Sequence, residues 1–247
     1  MSRLIGKVAL VTGSGRGIGR AIAKLFASEG AKVAVVSLTP ANVDAVVADI
    51  RAAGGTAIGI TTDISNAEQV KAAVDKAVET FGRLDILVNN AFDSSAPFST
   101  VLNLSVEQLQ RNFDTGPIAY LRFMQAAYPH LKASGEGRII NFGSPAAVMG
   151  LLGYTPYNMA KEAVRALTRT AAREWGPDKI TVNNMLPIAE TWGPEHNVPP
   201  PTNALGRYGT PEADVAPAVL FLASKDSQFI TGSSLTADGG FIIDSAR

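Results

Sequence analysis

The 247-residue sequence contains no cysteine, which excludes disulfides, thiolate metal sites and cysteine nucleophiles. Histidine is almost missing as well. Only His130 and His196 occur, neither at a metal-ligand spacing, so no catalytic metal is expected. Neither charge sign is in excess. The 22 basic and 22 acidic residues cancel, and no basic block gives a nucleic-acid footprint or a polybasic membrane anchor. Long hydrophobic runs are lacking too: none reaches membrane-spanning length, and the opening MSRLIGKVAL has no signal-peptide core. These absences lead to the expectation of a soluble, cytoplasmic protein.

What remains is a chain that is 46% hydrophobic and 18% charged, enough apolar material for one large core over residues 1–247. Apolar, β-branched runs recur at 7–12, 32–37, 56–61, 84–89, 137–142 and 180–185. Helical segments fill the gaps near 17–29, 40–53, 66–81, 103–132, 157–175 and 212–223. Near-continuous apolar strands alternating with helices predict a three-layer α/β fold, a parallel sheet covered on both faces. Residues 188–209, with Trp192, His196 and Pro199 to Pro201, read as an irregular loop: a substrate lid or a plain surface excursion.

The stretch VTGSGRGIGR follows the first strand and opens the first helix. Gly13, Gly17 and Gly19 let the backbone approach a ligand, and the helix N-terminus suits a pyrophosphate. The second strand ends at Ser37, where a site selecting NAD usually carries an acid; Arg16 instead offers a cation to a 2′-phosphate, which favours NADP(H). Arg16 is alternatively only a solvated charge. Asp63, ending the third strand, is either an adenine acceptor or a cap before the next helix, where Ser65 is the better cap candidate. Asn89 and Asn90 end the fourth strand, beside the cofactor or as turn residues.

PYNMAK places Tyr157 and Lys161 four residues apart on one helix face. A free tyrosine has a pKa of about 10, and a neighbouring ammonium favours the phenolate. Tyr157 could then exchange a proton with a carbonyl/alcohol pair. Tyr154 lacks a lysine at that spacing. Ser144, just after the fifth strand, could hold a substrate oxygen or could cap a helix. One oddity stands apart: Gly116-Pro117 interrupts an otherwise helical stretch from Ser105 to Leu131.

Taken together, Thr12-Gly13…Gly17-Ile18-Gly19, Asp63, Asn89-Asn90-Ala91, Ser144, Tyr157 with Lys161, Asn183, Pro187 and ITGSSLTADGG resemble the short-chain dehydrogenase/reductase family, in order, from Lys7 to Gly240. The resemblance implies a doubly wound, Rossmann-like, seven-stranded sheet in a single domain. It implies nicotinamide-dependent hydride transfer on a small carbonyl or alcohol, and a homotetramer. By the same resemblance Ser144 orients the substrate oxygen, Tyr157 moves the proton and Lys161 acidifies it and binds ribose. Cofactor contacts would come from Gly13, Ser14, Arg16, Gly17, Ile18 and Gly19, from Ser37, Asp63 and Ile64, from Asn89 and Ala91, and from Pro187 and Ile188.

Three positions depart from the family pattern. Phe92 stands where glycine is usual and is expected to narrow the nicotinamide pocket; Ile188 likewise replaces a glycine. Gly116 falls at the fourth catalytic position, usually asparagine. Either a water takes the place of that amide beside Lys161, or the helix is simply broken there. Two other readings stay open: a non-redox enzyme resembling haloalcohol dehalogenases, and a nucleotide sensor with weakened catalysis.

Overall fold

The computed structural model describes residues 2–93, 95, 98–191 and 199–243. Seven strands form one sheet: β1 (Val8–Thr12), β2 (Lys32–Ser37), β3 (Thr56–Thr61), β4 (Ile86–Asn89), β5 (Arg138–Phe142), β6 (Thr181–Pro187) and β7 (Ser234–Ala237). All neighbours pair in parallel, in the order β3-β2-β1-β4-β5-β6-β7. The chain winds outward from β1 to β3, then returns to β4 and winds the other way. That doubly wound order confirms the Rossmann-like class.

The pleat sorts the strands' side chains. Ala9, Val11, Val33 and Val35 face a core shared with Phe26 of α1 (Gly17–Ser28) and with Val43, Val46 and Ile50 of α2 (Pro40–Ala52). Val8, Leu10, Ala34 and Val36 face the other core, with Val70 and Val74 of α3 (Ala67–Phe81). Also on that side are α5 (Pro117–Ser134) and α7 (Thr155–Trp175); α8 (Ala216–Ala223) packs with α1. The near-continuous apolar strands follow from this two-sided burial.

Some boundaries differ from the sequence pattern. β7 was not visible as an apolar run, because it is a short edge strand whose residues are exposed or half-buried. A five-residue helix, α6 (Pro145–Met149), was also missed, being too short to show a period. α3 is capped by Asn66, whose side chain accepts from the Glu68 and Gln69 N–H groups, not by Ser65. Ser65 instead donates its hydroxyl to Asp63. The helical stretch after residue 103 is two helices, α4 (Val106–Thr115) and α5, joined at Gly116. A capping box between Ser105 and Gln108 starts α4, and Pro117 takes the first position of α5, where its missing N–H is harmless.

Asp85, just before β4, is buried at 1% exposure. It accepts from the Val8 N–H at 2.9 Å and from Arg83 Nε at 2.9 Å, so it ties the start of β1 to that of β4. Asp85→Ala is expected to lower stability by about 2–3 kcal/mol, less than a fully buried pair because Arg83 is half exposed. Urea unfolding, read as a lower midpoint at unchanged slope, checks this.

Candidate active site

Because β1 borders both β2 and β4, the two windings diverge there and leave a crevice at the carboxyl ends of the strands. An open cleft of about 1470 Å³ occupies it. Of the residues expected at a nucleotide, Gly13, Arg16, Gly17 and Ile18 line its floor, with Ser37, Asp63, Ile64 and Ala91 around them. α1 points its N-terminus into the cleft. Its first turn carries no acidic residue, and the N-cap, Arg16, makes no side-chain capping bond. Such an end presents N–H groups and a positive dipole that suit a pyrophosphate, so these residues fit a dinucleotide.

The turn itself is held by packing. Gly13 has φ +65°, and a Cβ there would come within 2.7 Å of Asn90 Nδ2. A Cβ on Gly19 would meet the Gly13 carbonyl oxygen at 2.3 Å. Asn90 Nδ2 donates to the Thr12 and Gly13 carbonyls at 3.0 and 3.2 Å. Thr12 Oγ1 accepts from the N–H groups of Asn90 and Ala91. Asn90 and Thr12 thus brace the turn, and the Thr12-Gly13 pair in the sequence was the signal for them.

Other expected residues lie away from the cleft wall. Asn89 is fully buried and donates to Asn141 Oδ1 at 2.9 Å, because successive strand residues point to opposite sides and Asn90 takes the cleft side. Ser14 is buried too, donating to the Val11 carbonyl and accepting from the Val36 N–H. Gly19 lets α1 pack closely against the Gly13 turn and Asn90. Pro187 ends β6, and Ile188 lines a separate hollow with Ala204, Leu205 and Gly209. Of the expected lid, Trp192 and His196 lie outside the described residues. Its ends are tied by a bridge between Ala189 and Gly209, and Tyr208 donates its hydroxyl to the Pro199 carbonyl. His130 sits in the last turns of α5.

Ser144 takes the capping role the sequence allowed. It caps α6, accepting from the Ala146 N–H at 3.2 Å, and its hydroxyl stands near enough to the Tyr157 phenol to favour the phenolate. Tyr157 and Lys161 share a face of α7. Lys161 is buried, and its Nζ donates to the Phe142 carbonyl at the end of β5, at 2.9 Å. Burial pushes that amine down to about 7. Burial also pushes the Tyr157 phenol above its ordinary value, with Ser144 pulling it back and Tyr154 adding to the rise. The expected acidification of the phenol by the lysine is therefore not present in the chain alone. Lys161 is buried and Tyr157 half-buried, and desolvation disfavours the charged form of each.

Comparison with known proteins gives the family. The family described as enoyl-(acyl carrier protein) reductase matches residues 13–242. The chain belongs to the short-chain dehydrogenase/reductase family. It is 40% identical to the short-chain reductase protein NovJ of Streptomyces niveus, over 94% of this chain and 93% of that one. It is 36% identical to a 3-oxoacyl-[acyl-carrier-protein] reductase of Synechocystis, over 98% and 100% of the two chains. A crystal structure of a dehydrogenase/reductase from Sinorhizobium meliloti 1021 superposes with a TM-score of 0.89, at 38% identity and 96% coverage of both chains. Like these relatives, the short-chain dehydrogenase/reductase described here is an oxidoreductase.

Within that family its departures are structurally linked. A Cβ on Gly116 would lie 3.1 Å from Phe92 Cε2, so the Phe92 ring fills the space beside Gly116. The expectation of a water there is overturned: a side chain has taken the place. Phe92 does border the cleft, yet its ring packs edge-on against Tyr157, with centroids 5.2 Å apart. Tyr154, Phe98 and Phe92 surround Tyr157 with aromatic rings at centroid distances of 6.2, 6.4 and 5.2 Å.

Proposed function

We propose that this enzyme interconverts a carbonyl and an alcohol using a nicotinamide dinucleotide, with Tyr157 as acid and base. The observation that carries the reading is the Ser144–Tyr157–Lys161 cluster next to an open glycine-floored cleft. Ser144 holds the substrate oxygen, and Tyr157 gives it a proton in reduction or removes one in oxidation. Lys161 stands behind Tyr157 on the same face of α7, its amine held by the Phe142 carbonyl. The bound nicotinamide supplies the hydride. Phe92 leaves the glycine turn open, which speaks against the non-redox alternative.

The preference for NADP(H) rests on Arg16 at the N-cap of α1 and on Ser37, an uncharged residue, at the end of β2. Phe98, Tyr154 and Phe92 around Tyr157 fit an apolar, aromatic-tolerant substrate. A homotetramer is supported by large apolar side chains left exposed, Leu102, Val106, Leu152 and Phe229 among them. A cytoplasmic location fits the balanced charge, and no helix among the described residues is long and apolar enough to cross a membrane.

The test is titration of the purified protein with NADPH and NADH, followed by a panel of aryl and alkyl ketones. Tighter binding of NADPH, with cofactor oxidation matching carbonyl loss, is the expected result. Failure of both nucleotides to bind would overturn the reading. Arg16→Ala is expected to weaken NADPH and leave NADH nearly unchanged.

A further inference from the structure

Lys161 is buried to 3% exposure in a box of aromatic rings. Its Nζ lies 4.5 Å from the Phe92 ring centroid, 5.5 Å from Tyr120 and 5.7 Å from Tyr157. One donor goes to the Phe142 carbonyl. The Tyr120 hydroxyl, also buried, has no hydrogen-bond partner among the described residues. An ammonium ion brings three donors, and ring faces satisfy them less fully than water does. Phe92 can close this box because residue 116 has no side chain. A Cβ there would press on the ring at 3.1 Å and on the Asn112 carbonyl at 2.7 Å.

We propose that Phe92 is a positioning residue: seated in the space beside Gly116, its ring seals the Lys161 amine from water and holds it behind Tyr157. The proposal deepens the reading of Tyr157 and Lys161 as reaction partners and rests on it. Sealing changes what the amine can do. With burial holding it near 7, Lys161 passes between ammonium and amine around neutral pH, so the charge standing behind Tyr157 switches there. The titratable groups facing it are the phenols of Tyr120 from α5 and Tyr157 from its own helix. Asp93, one residue past Phe92, is paired with Arg111 of α4 at 2.7 Å, and burial is what lowers the amine.

The experiment is a pH titration of the Lys161 side chain by NMR, using protein labelled with carbon-13 at lysine Cε and assigned by loss of the signal in Lys161→Met. It needs no turnover, so it stands even if the proposed reaction fails. Wild-type Lys161 is expected to titrate near 7; a midpoint close to that of free lysine overturns the proposal whether or not any variant folds. Phe92→Ala, which admits water, is expected to raise the midpoint by about one pH unit or more. Phe92→Leu, which keeps apolar bulk, should stay near wild type. An unchanged midpoint in folded Phe92→Ala protein overturns the sealing role. In the active enzyme the pH profile of kcat should move with the same midpoint, while KM for the nucleotide stays nearly constant.

Discussion

Tyr157→Phe should lower kcat for carbonyl reduction by about 10²–10⁴-fold, the usual worth of a positioned proton donor. The phenyl ring retains its edge contact with Phe92, so the change removes the hydroxyl and little else. Nucleotide affinity is therefore expected to hold within about two-fold, and melting temperature to change little. Steady-state kinetics with parallel fluorescence titration of the nucleotide distinguishes this from unfolding. The direction of the phenol's shift adds a pH dependence. Burial holds Tyr157 above its ordinary value of 10.0 in the free enzyme, so it is a neutral donor throughout the physiological range. Reduction should then be insensitive to the ionisation of Tyr157 up to alkaline pH. Alcohol oxidation needs the deprotonated phenol and should speed up as pH rises. A rate of oxidation that falls between neutral and alkaline pH in stable enzyme would contradict the assignment of Tyr157 as base.

Lys161→Met should abolish efficient turnover and yet make the free protein more stable near neutral pH. The amine falls from 10.5 to about 7 through burial, which at about 1.4 kcal/mol per unit caps the cost of burying its charge at roughly 5 kcal/mol. Methionine fills a similar volume without charge. It forfeits the bond to the Phe142 carbonyl and the contacts with Phe92 and Tyr120, so the net gain should be about 1–3 kcal/mol. The folded amine loses its proton before the unfolded one does. Between pH 7 and 10.5 the unfolded chain holds more protons, and wild-type stability rises with pH from this group. Below about 7 both states are protonated and the full cost is felt. The stability gap between variant and wild type is thus largest below neutral pH and closes toward 10.5. Urea unfolding at several pH values measures it. A gap that widened with rising pH would show that the amine is stabilised, not desolvated, by its surroundings.

The local patterns of the chain determined most of the frame. Six apolar runs became β1 to β6 because strands buried on both faces read as unbroken apolar segments. The glycine spacing after β1, and the spacing of Tyr157 and Lys161 along α7, are short-range features, and both came out where the residues put them. β7 escaped because an edge strand has no such run to show. The choice between Asn89 and Asn90 at the cleft depended on the pleat of β4, which the adjacent letters do not reveal. Sequence alone marked Phe92 and Gly116 as separate oddities, since 24 positions divide them in the chain. Only the fold brings the loop after β4 against the joint of α4 and α5 and makes one ring the filling of the other residue's missing side chain. The state of Lys161 was likewise decided there. A lysine's charge depends on how much water reaches it, and that follows from packing by segments distant in the chain.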